Sequence, residues 1–402
     1  MSSPAAEQHF AEGVAHHRQG RVAEAGAAYA RACEADPSHL AARFNLAFAL
    51  QQQGRDLDAE SAYKQALALK PDLVQALTNL ANLYLAHNRV AEALALLMRA
   101  TKAAPAFAPP WNGLGNALLA MGRTEEARER FQKALDCDPA FVEARINLGR
   151  ALQTLERPAQ ALPHLELALA ARPDDAELRF LRDAVKGACP PRPPAAFVTH
   201  LFDGMADTFD EHLVEKLGYR IPPRISEVAG DWLGARPRPR IVLDLGCGTG
   251  LVADALRGRF ETIQGVDLAP KMVARAKARR LYDSVEAADL IAWLAARPAA
   301  EACLIVAADV FVYLGDLAPV FAAVARALLP GGRFAFSVEG GGPGDEYTLD
   351  PLGRYRHDDG YVRAMAAAQA MIVAHASPET IRAERGKPVT GRLYVLEKGA
   401  VA

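Results

Sequence analysis

The chain has 402 residues, 51% of them apolar and 23% charged, with a formal net charge of −2 at pH 7. That length exceeds what one hydrophobic core usually covers, so more than one unit is expected. Balanced charge leaves no basic face for nucleic acid, the five cysteines contain no Cys-x-x-Cys pair for a disulfide framework or zinc, and no run of 18 apolar residues marks a membrane span. Met1 to Gln8 lacks a basic stretch followed by an apolar core, so a cytoplasmic location is expected, with neither membrane, nucleic acid nor metal as a partner.

The first half is periodic. Pro37, Pro71, Pro105, Pro139 and Pro173 stand 34 residues apart. Small residues recur in phase at Ala25, Ala59, Ala93, Ala127 and Ala161 and again at Ala32, Ala66, Ala100, Ala134 and Ala168. Between them lie the large residues Tyr29, Tyr63, Leu97, Phe131 and Leu165. Gly20, Gly54 and Gly122 mark turns between paired helices, Asn88 stands in the same phase, and Glu156 departs from it. The fourth copy also carries Trp111, Leu114 and Gly115. This pattern resembles five tetratricopeptide repeats, which implies an α-solenoid over residues 1–188 with Ala176 to Lys186 as a capping helix. The resemblance further implies a scaffold that binds a protein or peptide in a concave groove and carries no chemistry. Asn82 and Asn116 share one phase there, and their amides suit a peptide backbone.

Residues 189–196 follow as a proline-rich linker, in which Cys189-Pro-Pro-Arg-Pro-Pro194 reads as stiff, extended and poor in contacts. Residues 197–240 are expected to form a helical lid ahead of a sheet. The stretch Leu201-Phe-Asp-Gly-Met-Ala-Asp-Thr-Phe-Asp-Glu-His-Leu213 resembles the N-terminal lid of small-molecule methyltransferases, with Phe202 and Phe209 placed to close over a cofactor. The plainer alternative is a helix that buries two aromatics seven residues apart on one face.

Residues 241–402 alternate strand and helix, as in a mostly parallel sheet covered on both faces. The strand Ile241-Val-Leu-Asp-Leu245 opens into Gly246, Gly248 and Gly250, so backbone amides are able to approach a ligand closely. The dinucleotide fingerprint needs its third glycine three residues after the second, where Leu251 stands. Asp244-Leu-Gly-Cys-Gly-Thr-Gly250 instead resembles motif I of class I S-adenosylmethionine-dependent methyltransferases. The resemblance implies a Rossmann-like domain that binds S-adenosylmethionine through Asp244, Gly246, Cys247, Gly248, Thr249 and Gly250. It also implies ribose recognition by Asp267 beside Leu268 and Met272, adenine recognition by Asp289 beside Ala288 and Leu290, and a segment at Asp309 and Val310 next to the methyl donor. A single acid after a strand is as often a helix cap or turn former, but here four stand in order. Cys247 reads as a packing residue. A helix through Leu329 is expected to stop at Pro330-Gly-Gly332 before the strand Arg333 to Glu339. Thr380 to Arg385 and Gly391 to Glu397 are expected to form a closing antiparallel hairpin across a Gly-Lys-Pro connection.

The acceptor side is quieter, because an activated methyl donor needs positioning more than acid–base chemistry. Glycine-rich residues 340–357 carry Tyr347, Arg354, Tyr355 and His357, and His357 is the first candidate for a base, with His212 the second. The Arg354-Tyr-Arg-His357 stretch, with Phe202 to His212, resembles a group of bacterial methyltransferases that carry tetratricopeptide repeats. That match brings no substrate; the expected acceptor is an O or N atom on a small molecule or protein-bound substrate, a carboxylate being the case that needs no base. A scaffold with a catalytically silent cofactor domain is the competing reading.

Overall fold

The alanine phases of the first half dictate helices that approach closely. In the computed structural model, which describes residues 3–399 except 237, 238, 343 and 385, ten antiparallel helices run from Pro4–Arg18 to Pro158–Ala171. All ten in-phase alanines are 0% exposed, and the intervening Tyr29, Tyr63, Leu97, Phe131 and Leu165 fill the space between them at 0–1% exposure. The matching positions on the first helices are small. A Cβ on Gly115 would lie 2.3 Å from Phe131 Cε1, and one on Gly13 would lie 2.5 Å from Tyr29. Gly115→Ala should therefore lower the stability of the array by about 1–3 kcal/mol in urea unfolding, with partial recovery on adding Phe131→Leu. Gly20, Gly54 and Gly122 turn at φ near +72°, and both Asn88 (58°) and Glu156 (60°) adopt the same left-handed conformation. The fifth repeat thus keeps the turn without the glycine.

The chain divides into two compact units, Met1–Pro173 and Asp174–Ala402. The helix Ala176–Val185, expected as a cap of the array, falls in the second unit, where Phe180 packs on Phe197 with ring centroids 4.9 Å apart.

The second unit is built on nine strands: β1 Ile241–Leu245, β2 Thr262–Asp267, β3 Ser284–Ala287, β4 Ala302–Ala307, β5 Leu328–Glu339, β6 Tyr347–Leu349, β7 Tyr355–His357, β8 Met371–Glu384 and β9 Lys387–Lys398. Seven of them form one sheet in the order β3-β2-β1-β4-β5-β9-β8, parallel through β5 and closed by the antiparallel β9 and β8. Alternation along each strand sends Leu243, Ile305, Phe334 and Tyr394 to one core, and Val242, Leu304, Ala335 and Leu393 to the other. Strand order reverses between β1 and β4, and the loops beyond their carboxyl ends flank the crevice where ligands of such sheets bind. Among the described residues no helix is long and apolar enough to cross a membrane.

Two expected boundaries are corrected. The helix before β5 ends at Ala327, and β5 starts at Leu328, paired with Ala302, before a bulge that spans Pro330-Gly-Gly332 and resumes at Arg333. Pro330 has no N–H to donate, so pairing skips this segment and then continues. The last hairpin is also longer than expected, because β8 begins at Met371 and contains Pro378, while β9 includes Lys387 and Pro388. Pro378 is tolerated because β8 is the edge strand, and Pro388 because β9 there extends past Gly391, where its pairing with β5 ends. Arg385 lies outside the described residues.

Candidate active site

Leaving β1, the chain turns through three glycines in the left-handed region, Gly246 (φ 63°), Gly248 (53°) and Gly250 (97°). A side chain at Gly246 would also collide with Val310, whose Cγ2 lies 2.6 Å from the position of a Cβ. The turn is anchored by Asp267 at the end of β2, which accepts from Gly248 N at 2.8 Å and from Ala269 N at 2.9 Å. Asp244 lies beneath the loop and does not line the crevice, contrary to expectation. It is 0% exposed, accepts from Tyr282 Oη at 2.7 Å through Oδ2, and leaves Oδ1 buried without a partner. Burial pushes its carboxyl up to about 7.

A cavity of about 320 Å³ opens over this loop. Gly246, Cys247, Gly248, Thr249, Asp267, Leu268, Ala288, Asp289, Leu290, Asp309 and Val310 line it, so most residues expected at the cofactor come together there. Gly250 caps the helix Leu251–Ala255, and Met272 is fully buried behind the wall against Ala206 and Ala269. Cys247 packs against Val273, Ala276 and Val285, and burial raises its thiol far above its ordinary range, as befits a packing residue. Asp289 is occupied more fully than expected: Oδ1 caps the helix Leu290–Ala295 through Ile291 N and Ala292 N at 3.0 Å, and Oδ2 pairs with Arg192.

Phe202 and Phe209 both line the cavity, in edge-to-face contact at 6.0 Å, and Phe202 meets Tyr313 at 5.2 Å. The acids beside them explain how this segment is held. Asp203 accepts from Lys271 N at 2.9 Å at the start of the helix Pro270–Ala278, Asp207 pairs with Arg275, and Asp210 bonds both Thr249 Oγ1 and Arg279. The proline-rich segment is likewise docked and not free of contacts. Pro190 O accepts from Tyr355 Oη at 2.8 Å, Pro191 O accepts from the amides of Gly315 and Asp316 at 3.0 Å, and Arg192 and Pro193 line the cavity.

The expectation for the glycine-rich segment is corrected. Tyr347, Tyr355 and His357 form the two-stranded β6–β7 ribbon and do not line the cavity; among the described residues of that segment only Arg354 does. His357 is 2% exposed, stacked on Tyr361, with Nε2 3.1 Å from Gly315 O and Nδ1 buried without a partner. It supports the Leu314–Gly315 turn from behind. The side chain of His212 lies outside the described residues.

Burial lowers the His357 imidazole to about 4. The unfolded chain takes its proton below about 6.5 while the fold resists, so stability present above about pH 6.5 is lost as pH falls towards 4. Asp244 acts in the opposite sense, because its raised pKa relieves a burial cost as pH falls below about 7. His357→Leu isolates the first effect: the stability advantage of the wild type should shrink by about 3 kcal/mol between pH 7 and pH 4, and an unchanged difference would refute a neutral buried imidazole.

Sequence reasoning missed the far wall of the cavity. Arg382 on β8 is 4% exposed and binds Asp309 at 3.0 and 3.1 Å, Glu384 at 2.7 Å, and Glu339. Arg354 binds Glu384 through both terminal nitrogens. Burial pushes Glu384 up, but the two guanidiniums reverse this and hold it at about 2. Asp309 sits at φ 57°, unusual for a residue with a side chain and frequent at functional sites. The alternation Arg382-Ala-Glu384 on one strand face was the available signal. The partners in β4 and β5 are distant in sequence.

A helical repeat array joined to a doubly wound sheet whose glycine turn, second-strand acid and third-strand acid surround one cavity defines a methyltransferase of class I architecture. Residues 242–332 match a family described as methyltransferase domain, and residues 2–39, 40–73, 57–116 and 118–183 match families described as tetratricopeptide repeat. A ubiquinone biosynthesis O-methyltransferase of Thiobacillus denitrificans is 32% identical over 167 residues, 38% of this chain and 68% of that one. A trans-aconitate 2-methyltransferase of Pseudomonas aeruginosa is 30% identical over 159 residues, 33% of this chain and 57% of that one. Among solved structures, PilF of Pseudomonas aeruginosa aligns with 45% of this chain and 82% of its own at 22% identity and a TM-score of 0.41. The chain belongs to the class I S-adenosylmethionine-dependent methyltransferases, in the group that carries tetratricopeptide repeats.

Proposed function

We propose that the second unit binds S-adenosylmethionine in this cavity and transfers its methyl group to an O or N acceptor on a small molecule or protein-bound substrate, with the repeat array recruiting the acceptor or its carrier. The observation that carries the cofactor reading is the left-handed glycine turn tied to Asp267, the acid proposed to hold the ribose hydroxyls. The open space over Gly248, where a Cβ would meet only Phe209 at 3.9 Å, fits such a ligand. Arg192 and Asp289 form the wall proposed for the adenine, and Phe202 and Phe209 exclude water from the other side. When bound, the sulfonium supplies an already activated methyl group, so these residues need only hold the acceptor in line with it.

The likeness to an O-methyltransferase favours oxygen as the acceptor atom. On the array, Asn147 Nδ2 donates to Asn112 at 2.9 Å and to Asn116 at 3.1 Å, a polar ladder that leaves Asn82 exposed and available to a peptide partner. The five cysteines are free thiols, which fits the cytoplasmic location we propose. Incubation with labelled S-adenosylmethionine and lysate of its own host tests the whole reading. Label should enter a small molecule or a protein, whereas cofactor binding without any transfer would favour a scaffold with a silent domain.

A further inference from the structure

Arg192 belongs to a segment that offers few ways of being held. In Cys189-Pro-Pro-Arg-Pro-Pro194 four of six residues are prolines, which fix φ and have no N–H, so main-chain carbonyls are its handles. Both carbonyls ahead of Arg192 are taken. Pro190 O accepts from Tyr355 Oη at 2.8 Å, and Pro191 O accepts from the amides of Gly315 and Asp316 at 3.0 Å. With the backbone fixed on one side of Arg192 and stiffened by Pro193 on the other, the guanidinium is brought to the Oδ2 of Asp289.

The β6–β7 ribbon supplies or supports each of these contacts. Tyr355 is 0% exposed, and a Cβ on Gly315 would lie 2.6 Å from both the Tyr355 and the Tyr347 ring, so the Leu314–Gly315 turn rests directly on the ribbon. His357 Nε2 lies 3.1 Å from Gly315 O on the same turn. In the loop between the two strands, Gly353 turns at φ 84°, and a Cβ there would lie 3.0 Å from Phe180 and 3.1 Å from Phe197. These phenylalanines come from the helices Ala176–Val185 and Ala195–Met205, which precede and follow the proline-rich segment. The ribbon therefore holds the segment at its middle and beyond both of its ends, while Tyr347, Tyr355 and His357 themselves stay out of the cavity wall.

Strand order decides what the held residue faces. The sequence β3-β2-β1-β4 sets Asp289, Asp267 and Asp309 in line along the carboxyl edge of the sheet, with Arg192 at the Asp289 end. Adenine carries an amino donor beside ring-nitrogen acceptors, so a carboxylate and a guanidinium side by side match both kinds of group. A guanidinium plane also stacks on the face of a base.

We infer that the β6–β7 ribbon is a clasp for the adenine of the cofactor: Arg192 is the contacting residue, and Tyr355 is a positioning residue that acts through Pro190 without touching cofactor or acceptor. This rests on the methyltransferase reading above. It gives a function to the aromatic ribbon, which the base chemistry expected of His357 does not.

Calorimetry on the full chain tests it with two probes, S-adenosylhomocysteine and methylthioadenosine, which keeps the nucleoside but lacks the amino-acid end. Failure of the wild type to bind S-adenosylhomocysteine would remove the cofactor reading itself. Arg192→Ala should weaken both probes by the same factor, about tenfold or more. Tyr355→Phe keeps the ring that packs on Gly315 and loses only the hydroxyl, and it should weaken both probes about 3- to 10-fold. In an Arg192→Ala background Tyr355→Phe should have little further effect, because the two act in series, whereas a merely structural role for Tyr355 would leave the two losses additive. Tyr394→Phe is the control: it removes an equally buried hydroxyl that donates to Asp359, away from the cavity, and should leave both affinities unchanged. Full affinity in Arg192→Ala or in Tyr355→Phe, or additive losses in the double variant, would overturn the clasp and leave the cofactor reading standing. A loss confined to S-adenosylhomocysteine would overturn it as well, since Arg192 would then serve the amino-acid end.

Discussion

Asp267→Ala should weaken S-adenosylhomocysteine binding about 5- to 150-fold in calorimetry, the equivalent of about 1–3 kcal/mol. Two losses combine at this position. The amides of Gly248 and Ala269 lose the carboxylate that holds the glycine turn, and the proposed ribose contact disappears. Asp267→Asn keeps an acceptor oxygen and should lose less. Asp283→Ala is the control, because Asp283 accepts from Ile263 N at 2.8 Å at the far end of β2 and does not line the cavity. Undiminished affinity in Asp267→Ala would remove this carboxylate from the cofactor site.

Arg382→Ala should cost about 3–5 kcal/mol, because it leaves Glu339, which is 2% exposed, with only the longer 3.8 Å pair to the half-exposed Arg356, and unpairs Asp309 in the same step. For a unit of this size the melting temperature should fall by roughly 10 °C. Arg363→Ala, which breaks only the surface pair with Asp359, should change stability by less than about 1 kcal/mol. Adding Glu339→Gln to an Arg382→Met variant should recover part of the loss, since the stranded charge is then gone. A melting temperature unchanged in Arg382→Ala would show that the network contributes nothing to the fold.

The two halves differ in how much of their structure was legible. In the array each helix packs on its sequence neighbours, so a 34-residue phase of alanines and large residues carries almost the whole fold, and even the departure at Glu156 leaves the left-handed turn intact. Motif I and Asp267 were legible for a similar reason: a glycine turn between adjacent strands is a local device, and its demand for positive φ is visible as residue type. The extent of β8 was not legible, because Pro378 reads as a strand breaker until the strand is known to lie at the sheet edge.

Residue order by itself determined the repeat array, the doubly wound domain and the glycine turn with Asp267, all of which rest on short-range periodicity and on backbone conformations that only certain residues adopt. Tertiary structure alone decided the acceptor side. His357 looked like a base because histidine titrates near neutral pH, yet packing against Tyr361 and Gly315 makes it a neutral support. Arg382 looked like an ordinary strand residue, yet β4, β5 and β8 bring three carboxylates around it. Whether a charged or aromatic side chain faces a cavity, a partner or the core depends on which distant strands meet there. That pairing is set by the closure of the sheet, and no local pattern encodes it.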